Sequence, residues 1–185
     1  MSKEPAATTP PTGLRQLNAN YVALEDRIRL SLTTQDGNEF RFWLTRRYLQ
    51  LLWQALGRVV TRFAELKAAG DPLLQSALAG FAEARAMNRA DLSTPYEAGA
   101  NFPLGESPML LSRVTVGQIT AAGTQPLTLR PEQGAGIDLA LNEELAHVLC
   151  NLLRQAAIAA EWGLNLDAAL AASPAGTAAG ALLLH

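Results

Sequence analysis

Two stretches of this chain lie over one another without a gap. Leu30–Leu56 maps onto Leu127–Leu153 at a constant offset of 97 residues. Leu30, Leu32, Gly37, Leu44, Leu52 and Leu56 meet Leu127, Leu129, Gly134, Leu141, Leu149 and Leu153, and apolar Phe40 and Phe42 meet Ile137 and Leu139. A glycine in register between two alternating apolar patterns restricts each stretch to a hairpin followed by a helix, and the pair points to an internal repeat.

In the first copy Ile28, Leu30 and Leu32 alternate with Arg27, Arg29 and Ser31, and Phe40, Phe42 and Leu44 alternate with Arg41 and Trp43. This is the pattern of two half-buried strands. A two-residue Asp36-Gly37 loop would set Leu32 opposite Arg41 and mix core with charge on one face. A three-residue loop, Gln35-Asp36-Gly37, removes the conflict: Gly37 takes the left-handed bulge position, Leu32 faces Phe40 and Leu30 faces Phe42. The same geometry in the second copy uses Glu132-Gln133-Gly134 and sets Leu129 opposite Ile137 and Leu127 opposite Leu139.

Each hairpin leads into a helix. Tyr48, Leu51, Leu52, Ala55, Leu56, Val59, Val60 and Phe63 recur at spacings of three and four in the first copy, and Leu145, Val148, Leu149, Leu152 and Leu153 in the second. Thr45 and Asn142, equivalent at the offset, are the expected N-caps. The first helix is expected to stop near Gly70, the third near Gly163, and Asp71-Pro72 opens a helix reaching about Asn88. A further strand is expected before each hairpin, over Arg15–Val22 and Met109–Ile119. Ala90–Pro108 carries Pro95, Gly99, Pro103, Gly105 and Pro108, so a long loop is expected there, with Tyr96 and Phe102 covering the core ahead of the alternative, part of a binding rim.

These readings converge on an α+β protein: an antiparallel sheet built from two repeated β-hairpin/helix units, with long helices packed on one face. The expected organisation is a disordered N-terminal tail over 1–13 and a single domain over 14–164. Its repeats, about 14–67 and 111–164, are joined by a helix and a long loop, and an alanine-rich C-terminal tail follows over 165–185. At 185 residues and 49% apolar content the chain has material for one core, and its net charge of −2 excludes a wholly basic nucleic-acid coat. No secretion-type leader and no run of eighteen apolar residues is read from the sequence, so no membrane span is expected and the expected location is the cytoplasm.

Differences between the copies carry the functional reading. The outward positions of hairpin one hold Arg27, Arg29, Ser31, Arg41 and Trp43, whereas the second copy has Thr124, Pro126, Thr128, Asp138 and Ala140. The derived register puts Arg29 opposite Trp43, where a guanidinium on an indole is worth about 0.5–1 kcal/mol when exposed. After the caps, Arg46 and Arg47 stand where the second copy has Glu143 and Glu144. Cations oppose the partial positive charge at a helix start, so these arginines need a partner, either an external anion or an internal carboxylate such as Glu25, Asp26 or the copy-two glutamates. Charge divides in the same sense, with residues 1–67 at net +4 and 68–185 at net −6.

Catalytic patterns are thin. His147 and His185 are the only histidines and Cys150 the only cysteine, and no phosphate-binding glycine motif occurs. Glu144, His147 and Cys150 share one helix at spacings of three, but the second Glu-x-x-His of a di-iron site is missing, since Arg47 and Gln50 occupy the equivalent positions. No metal, cofactor or catalytic residue is therefore expected. The expectation is a non-enzymatic protein-interaction or adaptor module, homo-oligomeric, that presents Arg27, Arg29, Arg41, Trp43, Arg46 and Arg47 to an acidic protein partner. The alternative is nucleic-acid binding through the same face, with a small-molecule enzyme or carrier ranked below it.

Overall fold

The computed structural model describes residues 13–68, 72–89, 94–166 and 181–183. In chain order the elements are β1 (Leu14–Val22), β2 (Arg27–Thr34), β3 (Glu39–Leu44), α1 (Arg46–Ala68), α2 (Pro72–Arg89), β4 (Met109–Val116), β5 (Gln125–Pro131), β6 (Ile137–Leu141), α3 (Glu143–Ala159) and β7 (Ala181–Leu183). The strands form one mixed sheet in the order β1-β2-β3-β4-β5-β6, with β7 on β4.

The hairpin registers are those the apolar alternation requires. Leu32 pairs with Phe40, Leu30 with Phe42 and Arg29 with Trp43 in β2/β3, and Leu129 pairs with Ile137 and Leu127 with Leu139 in β5/β6. Gly37 and Gly134 both have positive φ, +78° and +92°, a conformation that costs a side-chain-bearing residue more than glycine. β1 and β4 each contain an apolar step of three, Leu14 to Leu17 and Leu111 to Val114, which strict alternation would send to opposite faces. A register shift between Leu14 and Gln16, and another between Leu111 and Arg113, absorbs the extra residue and keeps both side chains inward. Every pair of β4/β5 and β5/β6 repeats, 97 residues later, a pair of β1/β2 and β2/β3.

An antiparallel-only sheet is not what the chain forms. β3 and β4 run parallel, joined through Phe42–Met109 and Trp43–Leu110. The physical reason is order: two three-stranded blocks laid head to tail put the last strand of one beside the first strand of the next, pointing the same way. The connection from β3 to β4 through α1, α2 and the long loop is ample for a parallel crossover.

Inward side chains of β2 to β6 join α1 and α3 in one apolar cluster that includes Ile28, Phe42, Tyr48, Trp53, Leu111, Leu127 and Leu153. The nearest strand to α1 is β4, and α3 runs closest to β1. α2 packs on α1 and α3. Leu49 and Trp53, outside the single apolar stripe read from the sequence, are also buried; Trp53 Nε1 donates to Leu166 O at 2.5 Å and the Arg154 guanidinium lies 5.9 Å from its ring centre. Thr45 Oγ1 accepts from Tyr48 N at 3.1 Å and Asn142 Oδ1 from Leu145 N at 2.8 Å, so both caps form as their sequences require. No helix among the described residues is long and apolar enough to cross a membrane. The expected tail over 1–13 and the Gly70/Asp71 helix boundary lie, except for Gly13, outside the described residues. Within the alanine-rich end, Leu166 is buried in the core and Ala181–Leu183 pairs with β4.

Candidate interaction site

Sheet geometry puts the six expected site residues on two adjoining surfaces. Arg29, Arg41 and Trp43 point to the outward side of β2/β3, Arg27 begins β2, and Arg46 and Arg47 begin α1. The outward side is not the open basic face expected from sequence. Ser31, Thr33 and Glu39 there are nearly inaccessible, at 3%, 1% and 1% exposure.

Their cover is the loop after α2. Glu39 N donates to Asn101 O at 2.7 Å, Ala100 N and Asn101 N donate to Gly37 O, and Asn38 bridges Asn101 in parallel. On the β1 side, Arg15 pairs with Glu97, Gln16 Nε2 donates to Pro95 O at 3.3 Å, and Gln16 Oε1 accepts from Glu97 N at 3.0 Å. The loop is thus a strap across all three strands of the first half. Its closest approach is at Gly99, where an added Cβ would stand 2.8 Å from Glu39 Cβ and 2.8 Å from Gly37 O. Tyr96 and Phe102 belong to this strap and cover the polar outward side, whereas the sequence reading had them over the apolar core.

Arg41 is the arginine that the structure removes from the free basic set. Its guanidinium donates to both oxygens of Glu39, at 2.7 and 3.2 Å, and to Glu106 O, and it lies 4.6 Å from the Phe102 ring centre. Burial works against the charge of Glu39, but the bonds from Arg41 and from Gly99 N–H outweigh it and hold this carboxyl below its ordinary range. The Tyr96 hydroxyl is pushed the other way, chiefly by burial and further by Glu39 beside it. The charge expected to meet a partner at Arg41 is answered within the chain.

The remaining arginines differ. Arg27 has a long contact, 3.8 Å, with Glu25. Arg46 and Arg47 are exposed and make no ion pair among the described residues. Arg46 does favour the ionised form of Asp26, whose carboxyl is lowered first by the hydrogen bonds it accepts from Trp162 and Tyr21. The internal partner considered for the arginine pair is therefore present for Arg46 as a charge nearby rather than a bond. Of the copy-two glutamates, Glu143 is engaged by Lys67 and Arg85.

Arg29 and Trp43 stand opposite each other as derived, in a row that runs Asn20, Arg29, Trp43, Leu110 across four strands. Trp43 and Arg29 are half-buried and Leu110 is 44% exposed. The guanidinium lying on an aromatic ring in this region is Arg41 over Phe102, not Arg29 over Trp43. Arg29 Nε is buried and has no hydrogen-bond partner among the described residues. Sequence reasoning missed Glu39 and Gly99; the signal was a carboxylate at the first position of a strand whose outward neighbours are arginine and tryptophan.

His147 and Cys150 face the helix layer. Both are buried, with the imidazole held below its usual range by burial and the thiol pushed up to about 12 for the same reason. A thiol so shifted is a packing group rather than a nucleophile. No cluster of three or more metal-ligating side chains occurs among the described residues. No protein-family model, curated protein or solved structure matches the chain.

Proposed function

We propose that this chain is a non-enzymatic protein-interaction module built by tandem duplication of a β-β-β-α unit, in which one unit kept a contact surface that the other lacks. The duplication reading is supported by the shared registers, the matching bulges and the paired caps. Convergence on a hairpin and helix accounts for the apolar pattern, but it gives no reason for a bulge at the same position in both halves.

The contact surface in this reading is smaller than the six-residue set: Arg29, Trp43 and Leu110, continued at the end of the sheet by Arg27, Arg46 and Arg47. The carrying observation is the buried Nε of Arg29, which lacks a hydrogen-bond partner among the described residues, beside a part-exposed indole and leucine. An unmet buried donor costs about 1–3 kcal/mol, and an acceptor from a partner would recover it while its apolar atoms cover Trp43 and Leu110. A carboxylate suits Arg29 and the two helix-start arginines. Cross-linking and pull-down with wild type, Arg29→Ala and the Arg46→Glu/Arg47→Glu pair test this. Recovery of a partner is expected to fall for both variants, and unchanged recovery with the fold intact removes the proposal.

Trp43 beside Arg29 also fits a base stacked on the indole, which is the second reading. Titration with a single-stranded oligonucleotide separates the two: nucleic-acid binding is present at low salt and falls steeply as ionic strength rises. Neutralisation of Arg41 by Glu39 weakens this reading, because it removes one of the five phosphate contacts that it needs.

A further inference from the structure

The two seams between the halves are closed differently. At the first, α1 lies along β4: Tyr48 is fully buried, its hydroxyl donates to Arg113 O at 3.0 Å, and β7 pairs with Arg113–Thr115 on the β4 edge away from β5. The second seam joins α3 to β1, and each position there is its counterpart 97 residues earlier or later. Leu145 stands where Tyr48 does, Gln16 where Arg113 does, and Gln16–Asn18 is the counterpart of the segment that β7 pairs.

At this second seam the leucine is shorter than tyrosine, lacks a hydroxyl and is only part-buried. Between β1 and α3 lies a groove of about 780 Å³. Leu145, Val148 and Leu152 give it an apolar wall, and its polar lining joins the amides of Asn151 and Gln155 to two charges of opposite sign, Arg15 and Glu144. Among the described residues β1 pairs with β2 alone, so the backbone groups of Gln16–Asn18 that turn away from β2 face this groove.

We infer that this groove is a strand-docking site for an extended, uncharged apolar segment of a partner protein, which pairs with the β1 edge as β7 pairs with β4. An open strand edge supplies main-chain hydrogen bonds in a fixed register, and an adjoining apolar wall selects the side chains. The chain itself shows what such an edge accepts: Ala181, Leu182 and Leu183 on the equivalent residues of β4. Arg15 is already paired with Glu97 and the two lining charges are opposite in sign, so the groove favours an occupant without net charge. That occupant differs in chemistry from the acidic partner proposed for the Arg29/Trp43 surface, and neither proposal depends on the other.

The test uses the full-length chain and a synthetic peptide of residues 178–185 as the probe strand, followed by amide NMR. Saturable shifts at Gln16–Asn18, Val148 and Leu152 are expected. Val148→Arg, which sets a charge in the part-buried apolar wall, is expected to weaken peptide binding at least tenfold with the fold and its melting behaviour retained. A peptide with proline at its centre is expected not to bind, since it cannot donate to the edge. Shifts confined to Arg113–Thr115, unchanged affinity in Val148→Arg, or equal binding of the proline peptide would overturn the inference. So would hydrogen exchange at Leu17 in the isolated chain as slow as at the β1/β2 pairs for every outward amide, because the edge would then already be covered.

Discussion

The hydroxyl of Tyr48, on α1, donates to the backbone carbonyl of Arg113, on β4, across the boundary between the two halves of the chain. Tyr48 is fully buried, so its ring packs in the core while the hydroxyl meets a main-chain acceptor. Removing the oxygen alone by Tyr48→Phe is expected to destabilise the fold by about 1 kcal/mol, the usual net worth of such a bond. Truncation by Tyr48→Ala is expected to cost about 3–5 kcal/mol, as for other large aromatic cavities. Urea denaturation of both variants measures the difference, and equal losses would mean that the hydroxyl bond carries most of the contribution of this side chain.

Gly99 governs the strap over the outward side of the first hairpin. A Cβ there collides with Glu39 Cβ and with Gly37 O, one of them main chain at a hairpin turn that cannot move without loss of its own bonds. Gly99→Ala is expected to cost about 1–3 kcal/mol, in the range of overpacked sites, and to speed proteolysis within residues 94–104. Limited proteolysis with mass spectrometry reads the second effect directly.

Acid should loosen the same strap. The carboxyl of Glu39 is held below its ordinary value of 4.5 in the folded chain. Its contribution to stability is therefore complete above about that pH and is lost as pH falls through the lower, folded value. Glu39→Gln is expected to flatten the acid limb of stability against pH and to lower stability at neutral pH by about 1–3 kcal/mol, since the half-buried Arg41 loses its carboxylate. Thermal melts between pH 3 and about 7 in both proteins compare the two limbs.

His147 gives a second, separate step. Burial lowers its folded value below the ordinary 6.5, so the unfolded chain takes up a proton first as pH falls and stability declines from about 6.5 down to the folded value. The charges facing it come from other elements as well as its own helix: Glu83 from α2, Lys67 from α1, and Glu143 and Arg154 from α3. His147→Gln, which copies Gln50 of the first half, is expected to remove this step and leave the more acidic one in place. A decline of unchanged size in the variant would assign the step to another group.

Much of the fold was legible in the residues because the hairpins are governed by short-range rules. Period-two alternation and a glycine at the bulge position leave one register for Leu30, Leu32, Phe40 and Phe42, and the same holds for Leu127, Leu129, Ile137 and Leu139. The β3/β4 pairing was not legible, because two residue pairs formed across a long crossover leave no local pattern. Burial of Trp53 escaped for a related reason, since the groups that meet it, Leu166 and Arg154, come from the far end of the chain. At the candidate site the sequence identified which groups face outward. It could not show that a loop some sixty residues further along would bring Gly99 and Phe102 onto Glu39 and Arg41. Chemistry of that kind depends on where the chain returns, and alternation carries no record of it.

The exchange of helices between halves, α1 beside β4 and α3 beside β1, has a thermodynamic corollary. Neither segment can shed its neighbour without stripping the floor from its own helix, so loosening in one place propagates to the other. A calorimetric scan should show a single endotherm with no shoulder, and a lesion at either seam should lower that one peak instead of splitting it.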